Sequence, residues 1–459
     1  MLLGAVLLAD VAGTVDLSNR TEFRLREQAT SLAAPLPAVS ALPAGTPYTT
    51  VNAAAGTAAT PVTVGNPGYD LVDIPTLRID MKEHEWESIL DYSPFIILPD
   101  LELGFQTPQV LNSADLGVFW HDRRVRLGLV EYGQYGEENS LYLGASGTTP
   151  PPAGGSTVQL LATPSTINYG SSRTDLTTRV IFSRRWLGTS VLEYFAQGGL
   201  DSASRAVLPI VSGPRAEAVG AFKGTRLDTF ETKWTGLVSM TSGAIATAAP
   251  TATTTTTTPI TTAAAPVSTC VTGLITPLPV GAECSPEALS MGLTETWRRQ
   301  LSRHSEGWLG AGPGIVFARL GPEFAYSNAV YPTAAAGFQY RSSVEQVRTV
   351  LRLDAQLAPL VDVRTGIIDN RAQATLSLTL PLRDVTMIGA LSGTRSIDSL
   401  YTEPVTSVQG NFEIEYRIER WFGFGGGVRY AWQEQPTVGT FSTGLLFVQA
   451  TFRSPTLRF

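Results

Sequence analysis

The sequence is poor in charge, and three residue types are almost missing from it. Only 16% of its 459 residues are charged, against roughly 25% in an ordinary soluble domain. Lysine occurs only as Lys82, Lys223 and Lys233, histidine only as His84, His121 and His304, and cysteine only as Cys270 and Cys284. No apolar run, the opening Met1–Leu8 included, approaches the roughly 20 residues of a membrane-spanning helix, so a helical membrane protein is excluded. A net charge of −7 gives no basic excess for nucleic acid. The 30 prolines and 43 glycines argue against a helix-rich soluble enzyme. What remains is an all-β chain that closes into one large barrel or divides into two or more small sandwiches.

Alternation with period two decides between these. From Val15 to Arg26 the odd positions are mainly apolar and the even ones polar or charged. The pattern recurs over 372–382 and 408–418, where Leu376, Leu378 and Leu380 alternate with Thr375, Ser377 and Thr379. A strand sends these two sets to opposite faces. Eighteen such segments are expected, among them 14–26, 75–82, 86–98, 114–120, 124–135, 228–241, 292–302, 346–357, 371–382, 405–417, 421–433 and 441–453. Their connections alternate between short joins, as at 83–85, 121–123 and 383–384, and long ones, as at 27–74, 136–174 and 242–291. A sandwich has no reason to alternate in this way. An antiparallel up-and-down transmembrane barrel does, with short periplasmic turns and long extracellular loops. About eighteen strands are expected, sixteen being the alternative. Residues 14–459 then form one barrel domain, preceded by a segment 1–13 that reads as a signal-peptide remnant or a misassigned start.

Trp86, Trp120, Trp186, Trp308 and Trp421 each lie within a few residues of an expected short turn. Indole rings favour the headgroup level, so these five are the expected interfacial girdle; packing of strand ends in any β-protein is the alternative.

The chain ends Leu457-Arg458-Phe459. An aromatic last residue with an apolar one two positions earlier resembles the final strand of bacterial outer-membrane β-barrels of the porin-like class, although Pro455 breaks the alternation. The resemblance implies an outer-membrane location in contact with lipid and lipopolysaccharide. It also implies that Leu457 and Phe459 form a signal read by the barrel-assembly machinery. The Thr/Ala/Pro-rich stretches at 29–66 and within 242–291 lack the size and pattern of a plug domain, which argues against a TonB-dependent transporter. Cys270 and Cys284 are expected to form a disulfide at the base of the second stretch.

No enzyme, metal or cofactor is expected. All three histidines fall in short turns without metal-ligand spacing, and barrel phospholipases and proteases need a histidine away from those turns. The run Phe424-Gly425-Gly426-Gly427 lacks the lysine and helix of a phosphate loop and reads as close strand packing. The informative charges lie opposite the apolar faces. Arg20, Glu22, Arg24, Arg26, Arg78, Asp80, Arg179, Glu193, Glu217, Glu231, Lys233, Arg298, Arg348, Arg352, Asp354, Glu413, Glu415 and Arg417 are the expected pore-lining set, because Arg or Lys facing midplane lipid would cost about 2–4 kcal/mol each. The function expected first is a porin-like channel for passive diffusion of small hydrophilic solutes. The alternative is a structural or interaction barrel whose loops bind a surface partner, a polysaccharide or a neighbouring copy.

Overall fold

Along β1 (Ala12–Leu32) the alternation is realised as two faces: Leu17 and Phe23 are exposed, while Glu22 and Arg24 are buried. The same division runs around the whole chain in a computed structural model. It describes residues 12–32, 68–103, 107–139, 166–242, 285–342, 349–361, 368–399, 404–435 and 439–458. The next strands are β2 (Gly68–Glu83), β3 (Trp86–Tyr92), β4 (Phe95–Leu98), β5 (Gln109–His121), β6 (Val125–Asn139) and β7 (Thr166–Ile181). They are followed by β8 (Trp186–Gly199), β9 (Ile210–Lys223), β10 (Asp228–Ser242), β11 (Glu287–Gln300), β12 (Ser305–Arg319) and β13 (Ser327–Arg341). The last are β14 (Val350–Val361), β15 (Ile368–Leu382), β16 (Val385–Ser399), β17 (Thr406–Arg417), β18 (Phe422–Gln435), β19 (Gly439–Arg453) and β20 (Leu457–Arg458). Each stave pairs antiparallel with its sequence neighbours. β1 closes the sheet by pairing with β2 on one side (Ala12 opposite Lys82) and β19 on the other (Ser18 opposite Arg453). The result is a closed up-and-down barrel of eighteen staves.

Prolines explain why twenty strands make eighteen staves. β3 and β4 hold one register against β2, with Leu77 opposite Tyr92 and Asp73 opposite Ile96. That register sets Pro75 against Pro94, two residues without an N–H, so the ladder lapses for a step. On the other side it continues, Ser93 N donating to Ser113 O at 2.9 Å. β20 likewise continues β19 along β1, but Ser18 meets Arg453 while Val15 meets Leu457. The extra residue is a β-bulge at the expected break around Pro455. Gly-Pro pairs mark two further lapses. A Cβ at Gly312, before Pro313, would overlap the Leu293 carbonyl oxygen, and one at Gly213, before Pro214, would overlap that of Val238; only glycine allows these backbones to meet.

Several strands run further than their alternation suggested. β1 extends to Leu32 and β2 begins at Gly68, so the long connection is 33–67 rather than 27–74. The others shrink to 140–165 and 243–286. The reason is an inversion of pattern: towards the long connections the apolar residues turn inward. Val72, Ile74, Phe95, Ile97 and Leu111 are buried on the inner face, with Asp73 on the outer. A second inner cluster joins Phe195, Val211, Val316, Tyr331 and Ile368. Inward side chains are therefore buried in the long-connection half and more open in the short-turn half, as the burial along β2, β10, β11 and β15 shows.

The connection after β8 carries a short helix α1 (Ser202–Val207) capped by Asp201, whose Oδ1 accepts from Ser204 N at 2.7 Å. That bond, with those from Asn168 and the Ser204 hydroxyl, holds the Asp201 carboxyl below the usual carboxylate range. A depressed folded-state pKa contributes stability that is complete above the unfolded value of about 3.9 and is lost as pH falls through the lowered one. Amide protection over 202–207 should accordingly persist at pH 5 and fade only below about pH 4. In Asp201→Ala it should be lost at every pH; unchanged exchange in that variant would deny Asp201 its capping role.

The rims make a topological prediction. In a C270S/C284S background, cysteines placed at Ser202 or Glu323 should react with a membrane-impermeant maleimide on intact cells. Cysteines at Arg184 or Arg383, in short turns, should react only after lysis. Equal labelling of both pairs would contradict the orientation. Cys270, Cys284 and Phe459 lie outside the described residues, and the structure gives the expected disulfide no support.

Candidate functional site: the inner wall

A recurrent motif lies on the inner face: an arginine and a carboxylate two residues apart on one strand. Period two puts both side chains on the same side of the sheet and within reach. Arg78 Nε meets Asp80 Oδ2 at 3.1 Å, Arg173 meets Asp175 at 3.2 Å, and Arg215 meets Glu217 at 3.1 Å. Arg352 Nη2 donates to Asp354 Oδ1 at 3.1 Å, and Arg371 meets Asp369 at 2.8 Å. Cross-strand pairs extend the pattern: Lys233 to Glu217 at 2.9 Å, Arg298 to Glu231 at 2.7 Å and Arg453 to Glu415 at 2.9 Å. The wall is thus hydrophilic but locally neutralised.

One cluster departs from this balance. Glu22, fully buried, contacts three guanidiniums: that of Arg20, that of Arg24 (Nε at 2.7 Å) and that of Arg429 (Nη2 at 3.3 Å). Arg20 also reaches Glu413 at 3.2 Å. Arg24 stacks over Phe95 at 5.0 Å and Arg429 over Phe447 at 4.5 Å. β1, β17, β18 and β19 supply this cluster, where the barrel closes on itself. Beside it, β1–β6, β17 and β19 line a cavity of about 400 Å³ that includes Ser18, Arg20, Asp91, Ser93, Glu413 and Gln449.

Arg20, Glu22, Arg24, Arg26, Arg78, Asp80, Arg179, Glu193, Glu217, Glu231, Lys233, Arg298, Arg352, Asp354, Glu413, Glu415 and Arg417 all sit at inward positions of their strands, opposite exposed apolar neighbours such as Phe23, Leu192, Trp234, Leu353 and Phe412. Arg348 lies outside the described residues. The structure adds inward charges not singled out in the sequence: Arg173 and Asp175, Arg215, Asp369 and Arg371, and Arg429. Arg173–Asp175, Arg215–Glu217 and Asp369–Arg371 show in the sequence as an arginine and a carboxylate two residues apart. Arg429 carries no such signal, for its partner lies 407 residues away.

Of the five tryptophans expected at the interface, Trp86, Trp186 and Trp421 are exposed on the outer face beside short turns. Trp120 pairs directly with Trp86 and donates to Glu85 at 3.2 Å. Trp308 is a correction: its ring lies beneath Arg298 (5.0 Å) and Arg352 (5.9 Å) on the inner face. Gly337 makes the space for it, since a Cβ there would overlap the indole. Trp297, exposed and donating to Asp228 at 3.1 Å, is the outward ring on the neighbouring strand. Gly425 and Gly427 face inward, where Cβ atoms would overlap the Ile414 and Phe412 carbonyl oxygens; the glycine run serves close packing.

An apolar exterior, an ion-paired interior and rims of unequal connections define an outer-membrane β-barrel. The chain belongs to the EpsX exopolysaccharide export family, which matches residues 74–445. Similar solved structures include the FrpB iron transporter from Neisseria meningitidis (F3-3 variant), at 9% identity and a TM-score of 0.46 over 93% of this chain and 66% of that one, just under two thirds of its length. OpdL of Pseudomonas aeruginosa is matched at 9% identity and a TM-score of 0.37, over 97% and 99% of the two chains. The copper transporter OprC is matched at 7% identity and a TM-score of 0.44, over 97% and 81%. No curated protein sequence matches. Fold and family together place the chain at the outer membrane, in a family named for exopolysaccharide export.

Proposed function

We propose that the barrel is the outer-membrane conduit for an exopolysaccharide, which enters from the short-turn mouth and passes along the inner wall. The reading follows the export family and is carried by the inner cavity of about 400 Å³, within the roughly 300–1,000 Å³ of small-ligand pockets. Hydroxyls of Ser18 and Ser93, the Gln449 amide and the Glu413 and Asp91 carboxylates line it. Such groups on rigid strands exchange hydrogen bonds with sugar hydroxyls much as water does, so a glycan can move along them without a large desolvation cost. The test is removal of the gene from its host. Surface polysaccharide should disappear while polymer is retained inside the cell, and restoring the gene should reverse this. Undiminished surface polysaccharide would overturn the reading.

A second reading, passive diffusion of small hydrophilic solutes, draws on the same neutralised wall. It expects liposomes carrying the barrel to swell in arabinose, at a rate that falls with sugar size. No catalytic step belongs to either reading.

A further inference from the structure

We propose that the cargo is an acidic polysaccharide, captured by a ring of arginines at the short-turn mouth and met inside the barrel by the arginines around Glu22. This rests on the export reading above and names the chemical class of its substrate.

The first observation is the composition of the short turns. Arg123 and Arg124 occupy the turn after β5, and Arg184 and Arg185 the turn after β7. Single arginines, Arg226, Arg303, Arg383 and Arg420, occupy four more, and all of these side chains are exposed. Of the fully described short turns, only that between β2 and β3 lacks one. The same turns contribute the carboxylates of Glu85, Asp122, Asp384 and Glu419 alone, so this rim is basic on a chain whose net charge is −7. Described residues near the opposite rim are mainly acidic, among them Asp100, Glu102, Glu137, Glu323 and Glu434. The field along the axis therefore attracts a polyanion to the periplasmic mouth and steers its approach.

The second observation separates cargo from lipid. Anionic headgroups could also meet a basic rim, but they do not reach the interior. There three guanidiniums, Arg20, Arg24 and Arg429, face two carboxylates, Glu22 and Glu413. Arg429 is more than nine-tenths buried and its Nη1 has no hydrogen-bond partner, as is true of Arg20 Nε. Arg20, whose side chain is 26% exposed and lines the cavity of about 400 Å³, presents this positive excess to the bore, where a guanidinium suits the carboxylates of uronic acid units, which arginine binds in bidentate fashion.

The experiment titrates the purified full-length barrel in detergent with a galacturonate oligomer of about ten units and with an uncharged dextran oligomer of equal length. At low salt the acidic oligomer should bind at least about tenfold more tightly, and high salt should erase the difference. The variant R123Q/R124Q/R184Q/R185Q, altered only in exposed turns, should lose about tenfold of the acidic binding and none of the neutral. R20Q, which removes the part-exposed guanidinium lining the cavity, should weaken it further. Equal binding of the two oligomers, binding of neither, or a rim variant that binds as the parent does would overturn the inference. So would a rim variant that binds the oligomer normally but loses association with phosphatidylglycerol nanodiscs, which would make the arginines a headgroup anchor. An equal-binding result leaves polysaccharide export standing, whereas undiminished surface polysaccharide in the deletion strain removes export whatever the oligomers do.

Discussion

Replacing Glu22 with glutamine will lower the unfolding free energy of the barrel by about 3–5 kcal/mol, the usual consequence of removing one partner from a buried ionic group. The side chain keeps its volume, so packing is not what changes. Glu22 is fully buried and Arg24 is 1% exposed, and Arg20, Arg24 and Arg429 all converge on the same carboxylate. Without it, three guanidiniums share only Glu413, which reaches Arg20 alone at 3.2 Å. The faces of Phe95 and Phe447 offset a small part, about 1–2 kcal/mol at most per desolvated pair. The position also matters, because this cluster ties β1 to β17, β18 and β19 where the two ends of the sheet meet. The measurement is the urea midpoint in detergent, with the slope checked for constancy. The double variant E22Q/R429Q should recover part of the loss, since removing a repelled guanidinium relieves what the first change created. A loss under about 1 kcal/mol for E22Q would mean that water reaches the cluster and solvates its charges.

The strands of the short-turn half were legible in the sequence because one physical condition, lipid outside and polar groups inside, governs every residue there. Leu17, Phe23 and Leu353 follow it, and so do the inward charges between them. Legibility fails where that condition ends. On β2, Val72 and Ile74 turn inward and Asp73 outward, so a reader who takes apolar residues as the lipid face begins the strand at Pro75 rather than Gly68. Trp308 misleads for a related reason. Nearness to a turn points to the interface, whereas parity, which sets Trp308 with the inward Gly310 and Gly314, gives its true face. The Glu22 cluster could not be read at all in full. Arg20, Glu22 and Arg24 are visible on one strand, but Arg429 joins them only through the registers that close β18 on β19 and β19 on β1.

Val191 and Leu192 give the sharpest test of the wall, because they are adjacent in sequence and face different media. Leu192 is 54% exposed on the outer face beside Leu176, which is 45% exposed. It lies about midway between the short turn and the long-connection end of β8. Leu192→Arg sends a guanidinium into hydrocarbon and should cost about 2–4 kcal/mol. Val191 faces inward opposite Glu217, with Glu193 two residues along the same face. An arginine at 191 meets the part-exposed Glu217 carboxylate, and a part-solvated charge pair changes stability by about 1 kcal/mol or less. Both variants add the same side chain to the same strand, so strand propensity and assembly load cancel in the comparison. The readout is again the urea midpoint, with the heat-induced gel shift of the folded barrel as a second measure. A one-residue slip in register would exchange the two results, since it moves every side chain to the other face. Equal costs at 191 and 192 would place both residues in one medium, and with that the division of this wall into a lipid side and a conduit side would fall.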